Sequence, residues 1–349
     1  MCVRGRFEYA VPGQMACRGK DMHTQEELRQ ILSAEPDRFD ALCEMSGLLH
    51  REGNFAGCFA MLERAIASYE ATPDEAEQSR YFDMKRFRSH LLRSRLPEIL
   101  GPVYPLLDLR WTPVFKLGRI REVAWRLNAS NIPYIPAAVQ SQMMRRVRFL
   151  SIVFDEYTDE ALALFCGLFP DSLRVLSLTF NEMPQHSGFM RFWQQHSESG
   201  IFKDVVALTV SMPTMNDAYA SLMRNAFGSL ESLSLISLYR GNITGNFCEE
   251  IADDPRSNAL TRLALVGTNI GDDGLFTLLS SENFSSLQVL DVHDGILTNA
   301  SARVLSAEHN LSRLRSIDLS YNRIDPAGVD MVRRTSIEAN VEGQHSRPI

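Results

Sequence analysis

Leu314-Arg315-Ser316-Ile317-Asp318-Leu319-Ser320-Tyr321-Asn322-Arg323-Ile324, followed by Gly328, is the stretch from which the rest of the chain can be read. Leu314, Ile317 and Leu319 put apolar side chains on one face of a short strand. Asn322 falls where the chain must leave that strand, and Ile324 opens the next segment. The same frame recurs upstream as Leu287/Leu290/Val292, Leu260/Leu263/Leu265, Leu233/Ile236/Leu238, Val205/Leu208/Val210, Leu173/Leu176/Leu178, Val147/Leu150/Ile152 and Ile120/Val123/Trp125. The middle positions are separated by 27, 26, 32, 28, 27, 27 and 27 residues. A near-constant period of this length is the signature of stacked repeats, each too small to bury its apolar face alone.

The pattern L-x-x-L-x-L-x-x-N-x-I-x-x-x-G resembles the leucine-rich-repeat family, in its longer, helix-containing class like the ribonuclease-inhibitor type, over about residues 120–335. The resemblance implies an α/β solenoid of about eight repeats, with parallel strands on a concave face and helices outside. Helical spacing in the second half of the units, as in Leu275/Leu278/Leu279 and Val304/Leu305, agrees with it. The family's turn asparagine is represented by Asn128, Asp155, Asn181, Pro213, Gly241, Thr268, Gly295 and Asn322. Where Asn is missing, turn backbone groups must find other partners, so a slightly irregular ladder is expected. The spacing of 32 marks an insertion at Pro184–His196, where Phe189, Met190 and Trp193 share a helix face and should pack on the outer layer.

The N-terminal third lacks this period. Residues 1–21 show no periodicity and read as a disordered leader. A small all-α domain is expected over 22–100. Thr24-Gln25-Glu26-Glu27 is a capping box, Pro36 stops the helix it opens, and Leu42, Met45, Leu49, Gly53, Phe55, Cys58, Leu62 and Ile66 have the spacing of one tetratricopeptide-like hairpin. A further helix is expected from Asp74 to about Leu96. Gly101-Pro102-Val103-Tyr104-Pro105 then breaks the pattern, giving a linker over 101–119, and 336–349 reads as a tail. Glu27–Asp37 and His50-Arg51-Glu52-Gly53-Asn54, placed ahead of the repeats, also resemble a divergent bacterial repeat-companion domain, which brings no chemistry with it.

Composition narrows the function. The 349 residues carry a formal charge of −7, which argues against a chain whose main task is gripping nucleic acid or an anionic membrane. No apolar run approaches a membrane span and the start has no signal-peptide pattern, so a cytoplasmic protein is expected. Of 36 basic residues 4 are lysine and 32 arginine, a skew expected of a GC-rich, bacterial genome. Six scattered cysteines never form C-x-x-C. The basic runs Lys85–Arg88 and Arg145–Arg148 read as solvated faces.

No nucleotide, metal or hydrolase motif is present, so no catalytic residue, cofactor or metal is expected. Asp291, His293 and Asp294, with Asp318 and Tyr321 one repeat later, fall on the exposed side of neighbouring strands. An acidic patch for partner recognition outweighs a metal or hydrolase site there. Phe154, Phe180, Met212, Tyr239 and Arg240 fall on the same side and, with Tyr321, are candidate anchors, since aromatic, Met and Arg side chains dominate interface energetics. For Phe154 and Phe180 a second reading stands beside this one, in which they fold over the strand ends and complete the core. The expected function is a monomeric, non-enzymatic scaffold that binds a protein partner on the concave face. The alternative is a regulator of a catalytic partner, of GTPase-activating or ligase-recruiting kind.

Overall fold

A computed structural model describes residues 23–116, 119–156, 172–184, 186–197, 202–307 and 309–344. The expected leader, 1–21, lies outside them. Two compact units are present, one of 1–123 with 136–147 and one of 124–135 with 148–349.

In the first unit, Thr24 caps α1 (Gln25–Ala34), its hydroxyl accepting from the Glu27 amide while the Glu27 carboxylate accepts from the Thr24 amide. Helices α2 (Phe39–Arg51) and α3 (Phe55–Ala71) form a hairpin through Leu42, Met45, Leu49, Cys58 and Leu62, all buried. Gly53 makes the turn between them at φ 76, a left-handed conformation favoured by glycine. Helix α4 (Gln78–Ser94) adds Met84, Phe87 and Leu91 to this core. The segment 101–119, whose prolines read as a linker, contributes to the same core. Val103 and Leu106 are buried, and β1 (Val114–Lys116) pairs antiparallel with β2 (Arg119–Leu127), placing Phe115 edge-on to Phe59 at 4.7 Å. The unit therefore holds strand as well as helix.

The second unit is built on β3 (Phe149–Phe154), β4 (Val175–Phe180), β5 (Ala207–Met212), β6 (Ser232–Ser237), β7 (Arg262–Val266), β8 (Val289–Asp291), β9 (Ser316–Asp318) and β10 (Glu338–Asn340). Each is parallel to the next, in chain order. Leu150, Leu176, Leu208, Leu233, Leu263, Leu290 and Ile317 stand in one buried row across the ladder. In β3 to β6 the six residues alternate strictly between half-buried and buried, as a sheet with one apolar face demands.

Strand β6 departs from the repeat frame read in the sequence. The partner of Leu208 is Leu233, not Ile236, so the strand spacings around it are 25 and 30 residues rather than 28 and 27. The turn that follows nevertheless keeps the 27-residue period, because buried Ile243 precedes Ile270, Leu297 and Ile324 at that spacing. Both facts hold because three extra residues lie between the strand and its turn. The periodicity of the turn set the frame, and the strand underneath it is offset by three.

Helices α5 (Asp217–Asn225), α6 (Gly245–Asp253), α7 (Gly271–Ser280), α8 (Asn299–Ser306) and α9 (Pro326–Arg333) form the other half of the later repeats. Carboxylates link successive repeats. The Thr244 amide and hydroxyl donate to the two oxygens of Asp217 (2.7 and 2.6 Å), and Thr298 does the same to Asp272 (2.9 and 2.6 Å). Each of these threonines also caps its own helix. In the insertion, the helix His186–Ser197 buries Phe189 and Trp193 among Phe180, Phe202, Tyr219 and Phe227, with Met190 half-buried.

The segment 336–349, read as a tail, adds a strand at Glu338–Asn340 and a further turn. Gln344 occupies the place in that turn that Asn322 holds one repeat earlier. Asn322 Nδ2 donates to Val292 O and Leu319 O, and its Oδ1 accepts from the Gly295 and Leu297 amides. Gln344 Nε2 donates to Leu319 O and Val341 O, and its Oε1 accepts from the Ile324 amide.

Candidate interaction surface

The side of the β3–β10 ladder opposite the buried row carries, strand by strand, Ser151, Ser177, Thr209, Ser234, Ala264, Asp291, Asp318 and Asn340 in register. Small residues, mostly hydroxylic, give way at β8 to carboxylates and an amide. The assigned strands shorten from six or five residues to three at the same place. The side chains give a reason. Asp291 accepts from the His293 amide (3.2 Å), Asp318 from the Ser320 amide (2.8 Å) and Asn340 from the Glu342 amide (3.2 Å). An amide that would continue the ladder toward the preceding strand is taken by the side chain two residues before it.

Asp291, His293 and Asp318 come together as their positions in the sequence frame required, with ligand atoms within 4.8 Å of one another. His293 Nδ1 lies 2.7 Å from Asp291 Oδ1. That hydrogen bond, then the charges of Asp291, Asp318 and Asp294, hold the imidazole pKa above its usual value against the opposing effect of burial. Burial pushes the Asp318 carboxyl up, but hydrogen bonds from the Ser320 hydroxyl and amide and from Asn340, with the charge of His293, bring it below the usual range. Two carboxylates and an imidazole are donors that suit a divalent cation, yet all three already take part in hydrogen bonds that account for their placement.

The remaining candidates divide. Phe154, Phe180 and Met212 are buried, so the core reading holds for the two phenylalanines and the interface reading fails for all three. The sequence frame ended the inward row at Ile152, Leu178 and Val210. The strands run two residues further, and period-two alternation turns the next side chain inward again. Phe154 and Phe180 stack at 4.8 Å with planes 3° apart. Tyr239 is 74% exposed and Tyr321 53%. Arg240 is paired with Asp294 at 2.7 Å.

The frame read from the sequence also places Tyr239 and Arg240 beside Ser211 and Met212 on one side and Val266 and Gly267 on the other, and the structural register, which pairs Ile236 with Val266, corrects this. Ser211 pairs with Ile236 and Met212 with Ser237, while the Tyr239 amide donates to Pro213 O. Leu238, taken in the sequence as an inward residue, is 52% exposed. Asn340 and Glu342 join the open face unannounced, because the last turn lacks both the leucines and the asparagine of the repeat.

The described cysteines offer no nucleophile. Cys43, Cys58 and Cys248 are buried, and burial pushes each thiol up to about 12. Among the described residues no helix is long and apolar enough to cross a membrane.

Parallel strands stacked in chain order, alternating with helices in the later repeats, define a repeat architecture, and the comparisons with known proteins bear on its kind. A family model described as "Leucine Rich repeat" matches residues 256–279 and 311–332. These two segments are leucine-rich repeats. No curated protein matches its sequence. Among solved structures, a Bacteroides fragilis protein is similar at 15% identity and TM-score 0.46, over 66% of this chain and 67% of that one. The yeast Rad7 and Elc1 complex contains a chain similar at 11% identity and TM-score 0.28, over 91% of this chain and 98% of that one.

Proposed function

We propose that the chain is a non-enzymatic scaffold that binds a protein partner on the open face of its β3–β10 ladder. The observation that carries the reading is the in-register row Ser151, Ser177, Thr209, Ser234 and Ala264, followed by Asp291, Asp318 and Asn340. Small side chains let a partner approach the sheet closely, and the carboxylates at one end supply orientation and selectivity. The repeat family supports the reading, since stacked repeats offer extended binding surfaces. A net charge of −7 weighs against nucleic acid as the partner.

The test substitutes the face without touching the core. Thr209→Arg with Ser234→Arg fills two adjacent places on it, and Phe276→Arg, on the exposed side of α7, is the control. A partner recovered with the unaltered chain and then purified should lose at least tenfold in affinity for the double variant. It should bind the control unchanged, with both variants melting within a few degrees of the parent. Equal affinity for all three chains would remove the face from the interaction.

A further inference from the structure

The three residues that separate β6 from its turn have no counterpart in the adjoining repeats, and they include Tyr239, the most exposed large apolar side chain among the described residues of the array, with Leu238 beside it. Leu238 is 52% and Tyr239 74% exposed. Four backbone amides on and beside them are engaged. The Leu238 amide donates to Met212 O (3.0 Å), Tyr239 to Pro213 O (2.8 Å), Gly241 to Gly267 O (2.7 Å) and Asn242 to Met215 O (2.6 Å). Arg240, at φ 50, reaches across the intervening repeat to Asp294. In that intervening repeat Gly267, at φ 62, accepts from the Gly241 amide and lies against Ser237, where a Cβ would come 2.2 Å from Ser237 O. The insertion is thus a knuckle locked on both sides, with two large apolar side chains carried outward. Nothing in the packing of a repeat requires this. A rigid aromatic beside an aliphatic side chain is instead the composition of an interface anchor, ordered before binding and so losing little entropy in it.

We infer that Leu238 and Tyr239 form the anchor by which this chain engages its partner, and that the partner is a protein presenting an apolar pocket rimmed by basic side chains. The inference rests on the protein-interaction reading above and adds where the partner holds and with what chemistry. Charge decides the rim. On the strands that follow the knuckle, Asp291, Asp294, Asp318 and Glu342 lie at the C-terminal ends, the same ends from which the knuckle projects, against Arg240 and His293. The exposed Arg262 and Arg315 lie at the N-terminal ends.

The experiment places a photo-crosslinking p-benzoylphenylalanine at position 239, 177 or 276 of the full chain in its native cells. The 239 chain should crosslink to a protein of different sequence, through a peptide in which apolar residues adjoin Lys or Arg. Adding Leu238→Ser, which leaves every backbone bond in place, should lower the yield at least tenfold, and the 276 chain should give no such product. Crosslinking from 177 but not from 239 overturns the anchor while leaving the sheet-face reading intact. Silence from both overturns both. A product joining two copies of this chain, a contact peptide rich in Asp or Glu, or equal yields from 239 and 276 each overturns the inference as well.

Discussion

Asn322 does more for the fold than its size suggests. It is fully buried, and its Oδ1 holds the Gly295 and Leu297 amides at 2.9 Å each, on either side of Ile296. Ile296 has φ 63, a conformation that costs a β-branched residue on the order of 1–2 kcal/mol and is kept by the bonds on both its flanks. Asn322→Ala leaves those two amides buried without that acceptor, so it should cost about 3 kcal/mol, read as a lower urea midpoint at unchanged slope. Asn181→Ala, in the same sequence position five repeats earlier in the frame but exposed and bonded to Asp155, should change stability by no more than about 0.5 kcal/mol. Equal effects would contradict the assignment.

His293 supplies a second test at this scale. Its folded pKa is raised, so the stabilisation it brings is complete below its unfolded pKa of about 6.5 and is lost as pH rises through the folded value. His50 has the opposite sign, because burial lowers its pKa and its cost appears as pH falls. The comparison must therefore be between the parent and His293→Gln. The stability gap between them should shrink from pH 6 to pH 8.5, and a gap that widened or stayed constant would show that the Asp291 contact does not act through charge.

Among the elements, the last strand was the least legible. Leucines and asparagine made the repeat visible over most of its length, but β10 reads Glu338-Ala339-Asn340, with Gln344 doing the turn's work through one more methylene than asparagine. Its place in the sheet depends on pairing, which a pattern of leucines does not report. The Leu319 amide donates to Asn340 O and the Tyr321 amide to Glu342 O. Ending the chain at Thr335 should expose the β9 edge and remove these bonds together with those of Gln344. We expect a loss of about 3–5 kcal/mol and concentration-dependent association of the open edge, seen as a lower melting midpoint and increased light scattering. A truncated chain that melts with the parent and stays dispersed would make β10 an ornament.

Over the whole molecule, the repeat period was readable because burying one face of every strand demands the same residue types at the same spacing. The face itself was read less well, for one local reason. The insertion after β6 keeps the turn in period while shifting the strand by three, so a frame anchored on the turn assigns Leu238 inward, and Tyr239 and Arg240 the wrong neighbours. The row through Thr209, Ser234 and Ala264 exists only in the structural register. Its most direct test is a disulfide scan in a chain cleared of its native cysteines. Cα atoms of paired parallel strands lie about 4.8 Å apart, within reach of a disulfide. Thr209→Cys with Ser234→Cys, partners in the ladder, should join rapidly under mild oxidation, while Thr209→Cys with Ser237→Cys, partners in the frame set by the turn, should not. Rapid joining of the second pair and not the first would contradict the register and the face built on it.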